Sequence, residues 1–230
     1  MDMKIAGKGN IPAGEYNKVT SRGKGHFYGR VKCSSFKSSG TCKGEIIECA
    51  GKFKASGRAV FSEDIKAKSI RVSGSLSCEG DITAEDSISF HGGAKCRKSI
   101  KCESLSAFGS LCVFGDIEAE KIKTAGVLNC EGLINAESIQ IKADKPMNIG
   151  SIGGSNIVVK RKLISIFRKR CVTVATSIEG DNISLEYVTC PRVTGRTVVI
   201  GKGCRIDLVQ YSEGIELKFN KDHLTKTEKI

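Results

Sequence analysis

Eleven cysteines, three histidines and one run of mixed basic and apolar residues are the side chains of this 230-residue sequence best placed to do chemistry. Cysteine can serve as nucleophile, metal ligand or disulfide partner, and each role needs a particular spacing. No Cys-x-x-Cys pair occurs, the count is odd, and MDMKIAGKGNIPAGEY has no hydrophobic signal core. A zinc site and a secreted disulfide framework are both disfavoured by that pattern. The cysteines are expected to be reduced, buried thiols acting as small hydrophobes. His26, His91 and His223 have no evident partner for general base work, and Asp81, Glu85, Asp116 and Glu120 read as outward-facing turn residues. No catalytic, cofactor-binding or metal-binding residue is assigned, and no enzyme is expected.

The run KRKLISIFRKR points to a surface. Lys160, Arg161 and Lys162 precede Leu163, Ile164, Ser165, Ile166 and Phe167, and Arg168, Lys169 and Arg170 follow them. Two basic triplets around an apolar pentad suit a membrane-surface anchor: the triplets meet anionic headgroups while Leu163, Ile164, Ile166 and Phe167 enter the interface. The alternative is a pair of strands with apolar residues in a core and charges at solvated ends. The formal charge of +12 is uneven, at +8 for residues 1–58, −2 for 59–150 and +6 for 151–230. Basic ends could also meet phosphates, but aromatics are few and no nucleic-acid-binding signature is present, so nucleic acid is disfavoured as a partner. No run of eighteen apolar residues occurs, which predicts a cytoplasmic chain, peripheral at the inner face of the cell membrane if the anchor operates.

The elements that must position these residues come from a repeat. Units of about seventeen residues start at Gly23, Gly40, Gly57, Gly74, Gly92, Gly109 and Gly126, and only the Gly74 unit is a residue longer. The ninth position carries Val31, Ile65, Ile82, Ile100, Ile117 and Ile134, with Glu48 the exception. The eleventh is small throughout, with Cys33, Ala50, Ala67, Ala84, Cys102, Ala119 and Ala136. Phe36, Phe53, Ile70, Leu105, Ile122 and Ile139 hold the fourteenth, which Ile88 joins if the extra residue of its unit falls just before it, although His91 at the junction also reads as the excess. Alternation by two with a step of three means short strands joined by turns. The expected fold is all-β, a parallel β-helix (β-solenoid) with coils of about seventeen residues, its cysteines inside as ladder members. Seventeen residues are too few for a helix pair.

The regular repeats should cover residues 23–143, after an N-terminal segment of 1–22. Residues 144–170 read as an irregular connection holding the basic run, 171–219 as a second, less regular solenoid block, and 220–230 as a polar tail. A solenoid exposes strand edges and apolar core at its ends, which must be capped or must stack on another copy. Phe27, Tyr28 and Phe36 are the candidates in the first regular coil, and Tyr211, Leu217 and Phe219 in the last.

Units such as GSLSCEGDITAEDSI and GSLCVFGDIEAEKI resemble those of bactofilins, the polymer-forming bacterial cytoskeletal proteins, over roughly residues 23–142. The run IEGDNISLEYVTCPRVTGRTVVIGKGCRIDLVQYSEGIEL is similar to a segment of longer bactofilin-like proteins. The resemblance implies a right-handed parallel β-helix that assembles end to end without nucleotide, often at the membrane, as a scaffold for client proteins. Two other readings are a non-polymerising solenoid that binds a partner protein and a hexapeptide-type acyltransferase. IGKGC at residues 200–204 suggests the latter, but its aliphatic spacing of six is not sustained.

Overall fold

The computed structural model describes residues 1–161, 172–218 and 224–230, and every regular element among them is a strand. The chain divides into two compact units, Met1–Gly115 and Asp116–Ile230.

The first unit contains β1 (Met3–Ile11), β2 (Gly14–Phe27), β3 (Arg30–Gly44), β4 (Ile46–Phe61), β5 (Ile65–Cys78), β6 (Ile82–Cys96), β7 (Ile100–Lys101) and β8 (Ser104–Val113). From β1 to β6 each strand pairs in parallel with the next, and β7 and β8 both pair with β6. This is a β-solenoid whose coils follow the sequence repeat. The strands outrun an ordinary length because the chain turns a corner at glycine without leaving the ladder. Gly23, Gly40, Gly57, Gly74, Gly92 and Gly109 stand in register with φ between 105 and 128°. A Cβ on any of them would press on the carbonyl oxygen of the glycine one coil earlier. The seventeen-residue period is therefore a steric record of that corner.

Inside, Val31, Ile47, Ile65, Ile82 and Ile100 form one fully buried column. The Gly40 unit departs from the expected register here: Ile47, not Glu48, takes the apolar column, and Cys49, not Ala50, takes the small one. A one-residue slip exchanges the two faces of a strand, and an unpaired carboxylate in an apolar column is costly. The chain avoids this by an irregularity after Cys49, and Glu48 pairs outside with Arg30 at 3.2 Å. The extra residue of the Gly74 unit does lie before Ile88, between Ala84 and Ser87, so His91 is not the excess and pairs with Ser73. Phe36 and Phe53 stack at 4.7 Å with rings 2° from parallel. Corner carboxylates tie coil to coil: Asp64 accepts the Asp81 N–H at 3.0 Å, and Asp81 accepts the Ser99 N–H at 2.9 Å.

The second unit contains β9 (Ile117–Ala143), β10 (Met147–Arg161), β11 (Val172–Val174), β12 (Ser177–Leu185), β13 (Val188–Ile200), β14 (Arg205–Leu217) and β15 (Leu224–Lys229). All pair in parallel, and Ile139, Ile157, Ile183 and Val198 continue one buried column across four coils. Asp116 repeats the corner motif by accepting the Leu133 N–H at 2.7 Å. The ladder steps from Ile139 to Ile157 and from Ile183 to Val198 at ordinary coil lengths, but from Ile157 to Ile183 it takes 26 residues. That longer step contains residues 162–171. No helix among the described residues is long and apolar enough to cross a membrane.

Candidate functional site

A solenoid offers two kinds of site, the edges of its ladder and the grooves on its faces. The outer edge of β1 has no strand partner among the described residues. This coil lies before the one from which assembly contacts were expected. Gly7 pairs with Gly23 and Ile11 with Phe27, so Phe27 and Phe36 are interior residues, each 1% exposed. Tyr28 remains outside at 43% exposure, with its ring 4.2 Å from that of His26. The missed coil had a signal in Gly7, sixteen residues before Gly23, with apolar Ile5 and Ile11 around it.

The edge of β14 is treated differently along its length. From Ile206 to Tyr211 it is covered by β15, whose Lys226, Thr227 and Lys229 are exposed and whose Lys226 is ion-paired with Glu228. Thr194, Gln210 and Glu228 form a hydrogen-bonded row across three coils, at 3.3 and 3.2 Å. Beyond that cover, Ile215 and Leu217 are half-buried, whereas their partners one coil earlier, Val198 and Ile200, are fully buried. Tyr211 is half-buried beside Lys229 of β15. Phe219 lies outside the described residues. Leu217 is thus brought to a stretch of edge with no strand partner among the described residues, and Tyr211 to a covered one.

A groove of about 540 Å³ runs along one face of the first unit. Its floor is part of the small column, in which Tyr16, Cys33, Cys49 and Ala67 stack in register. Tyr16 marks one end of that column and donates its hydroxyl to the Pro12 carbonyl at 2.9 Å. Beside the floor runs a row of alternating charge, Glu15, Lys32, Glu48 and Lys66, with Lys32 and Glu15 paired at 3.5 Å. A second polar recess of about 310 Å³ includes Lys52, Lys54, Arg71 and Asp86.

Of the basic run, Lys160 and Arg161 are described and end β10. Lys160 is exposed, while the Arg161 guanidinium lies 4.2 Å from the centroid of the Tyr187 ring. Lys162, Leu163, Ile164, Ile166, Phe167, Arg168, Lys169 and Arg170 lie outside the described residues.

Stacked parallel coils with glycine corners and buried aliphatic columns are the geometry of a repeat solenoid. Residues 24–109 match the bactofilin family model. That family is described as polymer-forming and cytoskeletal, a structural rather than an enzymatic role. The bactofilin match begins near the end of β2, spans all of β3 to β7, and ends within β8. An uncharacterized protein of Bacillus subtilis (strain 168), YhbF, is 36% identical over 81 residues. Those residues are 35% of this chain and 34% of the relative, so the chain matches about a third of that protein's length. No solved structure gives a significant match.

Within this bactofilin-like solenoid the ten described cysteines carry free thiols, and all but Cys112 are buried. Burial pushes most of them up, to about 12 for Cys78 and Cys102 and about 11 for Cys42, Cys96, Cys190 and Cys204. Among the described residues no three His, Cys, Asp or Glu side chains are grouped to hold a metal ion. His91 contacts Ser89 and stacks on Phe108 at 5.3 Å, on the exposed face.

Proposed function

We propose that this chain is a self-assembling, nucleotide-independent scaffold of the cytoplasm whose copies join through the edges of their β-ladders. The observation that carries the reading is the open edge of β1 together with the half-buried Ile215 and Leu217 beyond the reach of β15. An unpaired strand edge supplies a row of N–H and C=O groups that a second copy can satisfy, and apolar residues beside it add burial at about 25 cal/mol per Å². The test is sedimentation and negative-stain microscopy of purified protein without nucleotide. Filaments or large species from the wild type, reduced by Ile215→Lys with Leu217→Lys, are expected; a strict monomer at every salt and concentration would refute assembly.

The scaffold would rest on the inner face of the cell membrane through residues 160–170. Support comes from the sequence of the run itself and from its place in the chain, within the long step between Ile157 and Ile183. Ile166→Asp with Phe167→Ala should lower co-sedimentation with anionic vesicles several-fold, and equal binding by both proteins would exclude the anchor.

A non-polymerising interaction module is the second reading, favoured by the charged strand β15 over part of the β14 edge. In that case the protein stays monomeric while binding a client through a face.

A further inference from the structure

Cys33 and Cys49 face each other from adjacent coils as Cα partners of the β3–β4 ladder. Neighbouring strands run about 4.8 Å apart, and a disulfide needs Cα atoms roughly 4.4–6.8 Å apart. The pair is therefore within bonding range. Its register breaks immediately afterwards, between Cys33 and Phe36, so the backbone that must adjust is not held by an unbroken ladder. Both residues line the 540 Å³ groove, along with Glu15, Lys32, Glu48 and Lys66.

A second in-register pair provides the contrast. Cys78 and Cys96 also stack as partners, but the Cys78 thiol donates to the Glu63 carbonyl at 3.1 Å and the Cys96 thiol to the Gly80 carbonyl at 3.3 Å. Neither lines the groove. The Cys33 thiol, opposite Cys49 in the ladder, holds Cys49 below the usual thiol range against the opposing effect of burial. The same contact, with burial, pushes Cys33 up. Thiolate is the reactive form, and the downward shift at Cys49 makes it the member of the pair better suited to attack.

We propose that Cys33 and Cys49 are a dithiol site that takes a small peroxide from the groove and closes into a disulfide between neighbouring coils. The Cys49 thiolate attacks one peroxide oxygen; an S–O bond forms, the O–O bond breaks, and the departing hydroxide takes the Cys33 proton to become water. The Cys33 thiolate then attacks the Cys49 sulfur; the S–S bond forms, the S–O bond breaks, and the second hydroxide is protonated to water. Two thiols lose two electrons and two protons in all, and one hydrogen peroxide is reduced to two waters. A thiol reductant reverses the link by exchange.

The full-length protein, treated with equimolar hydrogen peroxide, quenched with an alkylating agent and digested without reductant, tests this by mass spectrometry. A Cys33–Cys49 linked peptide that disappears with dithiothreitol is expected, with Cys78 and Cys96 recovered as alkylated thiols. Two results would overturn the proposal: Cys33 and Cys49 recovered alkylated like the rest, or Cys78–Cys96 linked to the same extent, which would make ladder adjacency alone the cause. Cys33→Ser keeps a hydroxyl donor beside Cys49 and keeps the fold testable, because serine is close to cysteine in size and the small residues Ala67 and Ala84 occupy the same column in other coils. In that variant Cys49 should stop at a dimedone-trappable sulfenic acid, whereas sulfenic acid absent from Cys49 would remove it as the attacking thiol.

Discussion

A methyl group on Gly92 would meet the Gly74 carbonyl oxygen, and the backbone there has a φ of 128°. One residue on, a Cβ at Gly93 would have nothing within 4 Å. Gly92→Ala should therefore destabilise the protein by roughly 2 kcal/mol or more, through strain at a left-handed position and a clash with backbone. Gly93→Ala should be neutral, or stabilising by up to about 1 kcal/mol through the unfolded chain. Urea denaturation of the two variants would measure the difference, and equal effects would mean that the corner tolerates a side chain. The sequence repeat named Gly92 as a unit start, so this constraint was legible before any coordinates. The Cys33–Cys49 pair was not. Counting from Gly40 placed Ala50 in the small column, and only the slipped register of β4 sets the two thiols opposite each other.

Element by element, the columns show what a ladder accepts. Lys37, Lys54 and Arg71 occupy one outward row on β3, β4 and β5, exposed and directly opposed. Like charges in such a row disfavour the pairing. Lys54→Glu places a carboxylate between Lys37 and Arg71 and should stabilise the fold by about 0.5 kcal/mol, the small value reflecting solvent screening of exposed charges. Thermal unfolding at low and high salt would check it: the gain should shrink at high salt, and a loss of stability would show that the row is already neutralised. Element type was readable wherever glycine and the aliphatic columns coincided. It was less readable in β1, where sixteen residues separate Gly7 from Gly23, and in β10, where Ile149, Ile152, Ile157 and Val159 follow a proline-containing turn and keep register through an irregularity. Periodicity fails at such places because an irregularity in the ladder shifts the count without disturbing the buried face.

At the scale of the whole molecule, assembly depends on which edges stay open. Buried Ile206 and Val209 lie under β15, the strand that carries Lys226, Glu228 and Lys229. Charged residues on an edge strand, lysine above all, are a recurrent device against further pairing. Deleting residues 224–230 would uncover the β14 edge from Ile206 to Tyr211 and bring both residues to solvent beside the half-buried Ile215 and Leu217. Sedimentation velocity of the truncated and full-length proteins at matched concentration then separates the two functional readings. If the full-length protein is a monomer and the truncated one assembles, β15 is a cap and the interaction module is the better description. If both assemble, with larger species after truncation, the scaffold grows through open edges and β15 limits its growth at this one. Identical distributions would mean that the Ile206–Tyr211 edge takes no part, leaving β1 to carry the contact.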